Sequence, residues 1–534
     1  MKKDILLLGS AVLGGVGPAA AQSDQTEESS PKRPNILFCI ADDASWLHFG
    51  AYGSRWVRTP VFDSVASRGV LFENCYTPNA KSAPSRASLL TGRYPWQLRE
   101  AANHICRFPE DIKVFTEVLS EAGYDVAFTG KGWAPGDPGR RNGKKRLLTG
   151  EPFQDRKLVP PTPKILANDY AANFNDFLES RADSEKPWFF WFGCREPHRG
   201  YEYGSGVRLG GRSLSEIDRV PAFWPDNEEV RTDLLDYGFE VEYYDRQLGR
   251  MLELLEERGE LDHTIVIVTS DNGMPFPRAK GTQYEYGHHM PLAVMWIDGI
   301  RDPGRRETAC VSFVDVAPSI LDVAGVAPGT CGMDSLAGYS IVPLLENRPD
   351  PHGEMRSRVL LGRERHDNGR PGDQGYPIRG IIRDGWLYVC NLKPDLFPGG
   401  NPETGYRDID SSPTKTSILR LCRDSLDRRY YDLAMGKRAG EELYQVSVDR
   451  ECLIDRSADP SCRARLESLR SELFGTLREQ GDPRMGDDGD VFDRYPYDKS
   501  GKERVYEKTV RGEIIPWEES NWVIPTDYEQ YEVK

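Results

Sequence analysis

Asn35-Ile36-Leu37-Phe38-Cys39-Ile40-Ala41-Asp42-Asp43 and Thr264-Ile265-Val266-Ile267-Val268-Thr269-Ser270-Asp271-Asn272 are built alike, each an apolar run that breaks into hard oxygen donors. A run apolar at nearly every position reads as a strand buried on both faces. Asp125 to Thr129, followed by Lys131, and Trp188 to Gly193, followed by His198, repeat the arrangement. Helical patterns lie between them: Asp111 to Ala122 with Gly123 as its stop, Asn227 to Gly259, and Val311 to Ala324. Strands alternating with helices predict an α/β fold with a parallel sheet covered on both faces. Ligands of such sheets bind beyond the carboxyl ends of the strands. All four polar clusters fall at that edge, so the edge is where a site is expected.

With 534 residues the chain exceeds one ordinary core, and a large domain plus a smaller one is expected. From Tyr376 the pattern changes to alternation: Ile378, Gly380 and Ile382, a turn at Asp384-Gly385, then Leu387 and Val389. That is a hairpin signal, and an amphipathic helix is expected over Ala458 to Gln480. The boundaries are drawn at 34–375 for the large domain and 376–534 for a small antiparallel domain, whose polar, aromatic end is expected to wrap the surface. Residues 1–21, with Lys2 and Lys3 before an apolar run and Ala19-Ala20-Ala21 behind it, read as a secretory signal peptide, and 22–33 as a linker. The expected location is therefore periplasmic or secreted, with no stable membrane anchor.

A net charge of -15 argues against nucleic acid as a partner and requires a local basic pocket for any anionic substrate. The ten cysteines show no C-x-x-C spacing, which argues against zinc. Cys39 and Cys194 read as buried free thiols, while Cys452 and Cys462 flank a short loop that a disulfide could close.

Asp42, Asp43, Asp271 and Asn272 supply three carboxylates and an amide from two strand ends, a set suited to Ca²⁺ or Mg²⁺. An acid pair after one strand is commonly a helix cap; its recurrence after a second strand favours metal. Ser82-Ala83-Pro84-Ser85-Arg86-Ala87-Ser88-Leu89-Leu90-Thr91-Gly92-Arg93 carries the other half of the argument. Pro84 suits the first position of a helix, which places Ser82 at its positive end, with Arg86 a turn further on and able to reach back. On S-x-P alone, an everyday serine cap is the simpler reading.

Residues 82–93 as a whole resemble the signature of the sulfatase family, in which the leading Cys or Ser is oxidised to formylglycine (3-oxoalanine). Thr129-Gly130-Lys131 and Ser270-Asp271-Asn272-Gly273 resemble further family motifs in the family's order. The resemblance implies an alkaline-phosphatase-like fold: a central mixed, mainly parallel sheet flanked by helices, with a smaller C-terminal antiparallel sheet. It implies a maturation enzyme that modifies Ser82, and a calcium ion, or magnesium in its place, held by Asp42, Asp43, Asp271, Asn272 and the modified Ser82. The hydrated formylglycine would attack sulfur, displace the sugar alcohol or amine, and then eliminate sulfate. Lys131 and Lys280 would meet the sulfate charge, Arg86 would orient the nucleophile, and His198 would protonate the leaving group. One departure stands out. Many members carry a histidine two residues after the lysine, where this chain has Lys131-Gly132-Trp133, so either another group, with His288 or His289 considered, replaces it or elimination proceeds without it.

Asp271 to Pro277, Glu196-Pro197-His198-Arg199, Val220 to Asp226 and Tyr376-Pro377-Ile378-Arg379 further resemble the heparan N-sulfatase (sulfamidase) group, which usually has arginine where Lys280 stands. Arg363, Arg365, His366 and Arg379 are expected contacts to a sulfated sugar. The expected reaction is release of sulfate from N-sulfoglucosamine of heparan type. An O-sulfatase, a phosphoesterase using unmodified Ser82, and an inactive glycan-binding protein are the alternatives.

Overall fold

The computed structural model describes residues 33–425, 427–499, 502–519 and 524–525. The expected signal peptide and nearly all of the linker lie outside them. Asn35–Ala41 is the axis of a nine-stranded sheet, with Thr264–Ser270 parallel on one side and Trp188–Gly193 parallel on the other. Asp125–Gly130 and Glu151–Pro152 continue the parallel half. Beyond Thr264–Ser270 the sheet turns mixed: Leu292–Met295 runs antiparallel, then Val70–Tyr76, which also pairs with His289–Met290 and Arg305–Ser312.

Register levels the strand ends. Ala41 lies opposite Ser270, Ile40 opposite Gly193, and Gly193 opposite Gly130. The next residues of three strands, Asp42, Asp271 and Lys131, therefore emerge side by side. Gly130 has φ +78, and a Cβ built on Gly193 would lie 1.9 Å from the Lys131 carbonyl oxygen. The chain leaves its strand sharply there, and the Lys131 amide donates to the Gly193 carbonyl at 2.7 Å.

Alternate residues of the central strands feed two cores. Leu37, Cys39, Phe190, Phe192, Val266 and Val268 pack against the helix Glu228–Glu257, which begins at an Asn227 cap accepting from the Val230 amide. Ile36, Phe38, Ile40, Phe189, Trp191 and Ile265 face the helices Ser82–Thr91, Phe115–Glu121 and Val316–Val323. This two-sided burial is why the strand sequences show no polar alternation.

Several element limits differ from expectation. The helix foreseen from Asp111 begins at Phe115, because Glu117 folds back to accept from the Val114 amide and fixes the start there. Val311 and Ser312 end a strand; Asp315 accepts from the Ser312 amide, and the helix starts at Val316. The helix foreseen from Ala458 covers Arg463–Glu479, after a short turn over Pro460–Cys462. All ten cysteines are free thiols, so Cys452 and Cys462 do not pair, whereas Cys39 and Cys194 are buried as expected.

A four-stranded antiparallel sheet forms the second layer, in the order Arg358–Arg363, Ile378–Arg383, Trp386–Asn391 and Glu441–Tyr444. The boundary expected at residue 376 thus falls inside it, one strand late. The hairpin turn is where the sequence placed it, with Asp384 and Gly385 both at positive φ. Leu466, Leu469, Leu473 and Leu477 of the helix pack on Leu360, Ile381, Tyr388 and Leu443.

Two arginines foreseen as sugar contacts are instead interior struts of this layer. Arg379 forks onto Asp482 at 2.6 and 2.9 Å and donates to Glu364 at 2.7 Å. Arg363 donates to Asp408 at 2.6 Å and to the carbonyls of Gly281 and Pro398. Breaking such a buried pair leaves a charge with no counter-ion, which costs about 3 kcal/mol or more. Arg379→Met is therefore expected to lower the thermal unfolding midpoint by several degrees, measured by differential scanning calorimetry, whatever its effect on any substrate.

Candidate active site

Ser82 opens the helix Ser82–Thr91 and Lys81 is its cap, so Pro84 stands third rather than first in the helix. Proline is tolerated there because the leading amides have no acceptor within the helix. Two bonds pin this end of the helix to the sheet: the Ser85 hydroxyl donates to the Asp271 carbonyl at 2.5 Å, and Thr77 donates to Ser85 at 2.8 Å. The Trp133 indole donates to the Ala83 carbonyl at 3.0 Å, so the residue standing in for the family's histidine braces the helix start.

Around Ser82 the strand ends converge. Its hydroxyl lies 3.1 Å from Asp42 Oδ1 and 3.5 Å from Asn272 Oδ1. The Lys131 ammonium donates to both Asp42 oxygens, at 2.6 and 2.7 Å, and to Ser82 Oγ at 3.0 Å. Asp43 has φ +74, an uncommon backbone state for a non-glycine residue, held by its amide on Asp271 Oδ1 and by Asn272 Nδ2 on its own carboxylate. Arg86 does not reach Ser82. It donates from Nε to Asp271 at 2.9 Å and from Nη1 to the carbonyls of Lys131 and Gly132, which fixes both strand ends at once.

Lys280 binds Asp43 Oδ2 at 2.6 Å and Asp410 Oδ2 at 2.9 Å. His198 places Nε2 3.9 Å from Asp43 Oδ2, and its Nδ1 lies 2.5 Å from the Arg199 carbonyl oxygen. Burial, helped by Lys280, pushes His198 down to about 3, so the imidazole is neutral at neutral pH.

Asp42, Asp43 and Asp271 are wholly buried, and one oxygen from each lies within 4.8 Å of the others. Burial works to raise Asp42, but Lys131, His198 and Arg86 outweigh it and hold the carboxyl well below the usual range. For Asp43 and Asp271 burial prevails over Lys280 and Arg86, and both are raised. Counting Asp410, four carboxylates face three fixed cations, Arg86, Lys131 and Lys280. The donor set thus fits a divalent cation on charge, burial and oxygen chemistry, with Asp42, Asp43, Asp271 and Asn272 as its ligands.

Ser82, Lys131, His198 and Lys280 line a cavity of about 920 Å³. Lys81, His104, Arg195, Asp367 and Asp410 line it too and were not singled out from the sequence. Lys81 and His104 hold Asp367 from two sides, at 3.1 and 3.3 Å. Lys81 could have been suspected, since it precedes Ser82 directly. Asp367 and Asp410 come from irregular loops that carry no periodic signal.

The remaining candidates lie elsewhere. His288 is buried with Nε2 on the Gln283 carbonyl, and His289 is held between Glu285 and the Glu73 carbonyl while stacked on Trp46. Neither lines the cavity, so neither replaces the absent histidine. Arg365 donates to the Pro496 carbonyl and His366 pairs with Asn79, both in the interior, so neither is a sugar contact in this arrangement.

Against known proteins, the family model described as Sulfatase matches residues 34–326. The chain is 29% identical to human N-sulphoglucosamine sulphohydrolase, over 84% of this chain and 91% of that protein. It is 27% identical to an N-acetylglucosamine-6-O-sulfatase of Bacteroides thetaiotaomicron, over 64% of this chain and 76% of that protein. Among solved structures, the phosphonate monoester hydrolase of Agrobacterium radiobacter superposes with a TM-score of 0.56 at 18% identity, covering 84% of this chain and 96% of that one, a likeness of fold.

A ligand that binds only the folded state stabilises it, by about 2.7 kcal/mol at a hundred times its Kd. Adding calcium to chelator-treated protein is expected to raise the unfolding midpoint by several degrees. Asp271→Asn should abolish the rise, and an equal rise in that variant would place the ion elsewhere.

Proposed function

The chain belongs to the sulfatase family, and on that premise we propose that it hydrolyses sulfate from a sulfated glycan through a formylglycine made from Ser82, with N-sulfoglucosamine of heparin or heparan sulfate type as the first substrate. The observation that carries this reading is the placement of Ser82. Its oxygen lies at the start of a buried helix, on the wall of a large cavity, between the Lys131 ammonium and a carboxylate of the cation-fitting cluster. A formylglycine there supplies a hydrated aldehyde as nucleophile.

The chain's own residues account for the rest. A sulfate ester gathers negative charge on its outer oxygens and on the leaving atom as it reacts. Lys131 and Lys280 flank the cluster with ammoniums already held in place by Asp42, Asp43 and Asp410, so little reorganisation is required. His198 presents Nε2 on the Asp43 side and is the group placed to pass a proton to the leaving nitrogen or oxygen; the negative charge of a bound sulfate favours its protonation. Arg86 positions rather than reacts, since its guanidinium is spent on Asp271 and two carbonyls.

The preference for an N-sulfated sugar is supported by the sequence stretches around Asp271, His198 and Tyr376 and by the name of the human relative. The relative named as a 6-O-sulfatase makes an O-sulfated amino sugar the alternative.

After co-expression with a maturation enzyme competent for serine, mass spectrometry of the Ser82 peptide is expected to show loss of a pair of hydrogens. That protein should release sulfate from N-sulfoglucosamine, and Ser82→Ala should lower the rate by about 10³-fold or more. Turnover of phosphomonoesters by the unmodified serine form, with no sulfate release by the matured one, would move the assignment to a phosphoesterase.

A further inference from the structure

The chain is acidic as a whole, yet Gly139-Arg140-Arg141-Asn142-Gly143-Lys144-Lys145-Arg146 holds five basic residues and no acid. The structure folds it into a tight antiparallel ribbon with Asn142 and Gly143 at positive φ in the turn. Its register sets Arg140 directly opposite Lys145 and Arg141 opposite Lys144. Like charges facing each other across a strand pair are destabilising, so the ribbon's own stability does not account for them.

Two of the five have structural partners. Arg146 is buried on Glu117 and the carbonyls of Pro109 and Ile112, and Arg141 also reaches Glu117. Arg140, Lys144 and Lys145 are exposed, and among the described residues none has a carboxylate within ion-pairing distance.

The ribbon stands at the edge of the catalytic cavity. Lys145 lines the cavity, as do Gly136, Asp137 and Pro138, which lead into the ribbon. Lys164, exposed and equally without a carboxylate partner among the described residues, lines it from a separate loop. Of the acids that line the cavity, Asp137 is paired with Arg107 at 3.4 Å, Asp367 with Lys81 and His104, and Asp410 with Lys280, which leaves Glu196 and Asp498 against Lys145, Lys164, Arg195 and Lys499. The deeper cations are spent on the nucleophile and its carboxylates, so the outer ones remain available to a second anionic group.

We propose that Lys145 and Lys164, with Arg140 on the same ribbon face as Lys145, form an outer subsite that binds an anionic substituent, sulfate or carboxylate, on a sugar adjoining the one being desulfated. The inference rests on the sulfatase reading and gives the substrate its length: an oligosaccharide with a charge on the neighbouring residue, not an isolated sulfated monosaccharide. Held against a chain of opposite overall sign, these cations also offer a local landing point for a polyanion that the global field repels.

The test uses the Arg140→Ser/Lys145→Ser/Lys164→Ser protein, whose changes are all at exposed positions, and calorimetric confirmation that its unfolding midpoint is unchanged. Titration calorimetry on the Ser82→Ala background, with and without the three changes, would use a sulfated heparin-derived tetrasaccharide and its fully desulfated, N-acetylated counterpart, whose only charges are carboxylates. The expected result is a Kd raised about five- to tenfold by the three changes, with a shallower dependence on salt. A rise confined to the sulfated ligand identifies sulfate as the bound anion, and a rise for both identifies the carboxylate as sufficient. An unchanged Kd and salt slope for both ligands overturns the proposal. In matured enzyme the ratio of kcat/KM on the tetrasaccharide to that on N-sulfoglucosamine should fall by a similar factor. Absence of sulfate release by matured wild type would count against the sulfatase reading alone, because the binding arm still decides the subsite.

Discussion

Asp42, Asp43 and Asp271 are wholly buried, and compensating that burial is the constraint around which the surrounding structure is organised. A buried carboxylate is tolerable only with counter-charge and hydrogen bonds close by. The sheet register brings Asp42, Asp271 and Lys131 level; the helix of Ser82 delivers Arg86; and the loop after Asn272 returns Lys280. Lys131, which offsets Asp42, also donates to Ser82, so charge compensation and the proposed nucleophile share one side chain. Glycines at 130 and 193 and the left-handed Asp43 are local concessions to that convergence.

The parts read correctly from sequence are those whose signal is local. Apolar runs ending in acids gave the central strands and the edge where they meet, and Asp384-Gly385 gave the hairpin. Ser82 to Arg93 carried more, because that stretch is dictated by several neighbours at once: Ser85 ties it to Asp271, Arg86 to two strands, and Gly92 at φ +66 ends the helix.

What stayed hidden was set by distant partners. Arg363 and Arg379 look like solvent-facing bases in the sequence, but Asp408 and Asp482, many residues later, draw them inside. His288 and His289 sit close to the motif at Asp271, yet the chain turns them into the interior beneath it. Asp367 and Asp410 reach the cavity from loops, where neither periodicity nor spacing marks a side chain as functional. Trp133 is the instructive case. As a missing histidine it raised the question of a replacement; as a donor to the Ala83 carbonyl it is part of how the helix of Ser82 is held.

Every residue from Ser82 to Thr91 is buried, and Ser82 itself is 2% exposed. A modifying enzyme that must read Ser82, Pro84 and Arg86 together finds none of them presented on the folded surface, and unwinding the helix would break its bonds to both strand ends. If Ser82 is modified as proposed, its oxidation and the completion of the fold compete in time. On that reading, chains that fold first keep plain serine, and the active fraction is set during synthesis rather than by any later encounter.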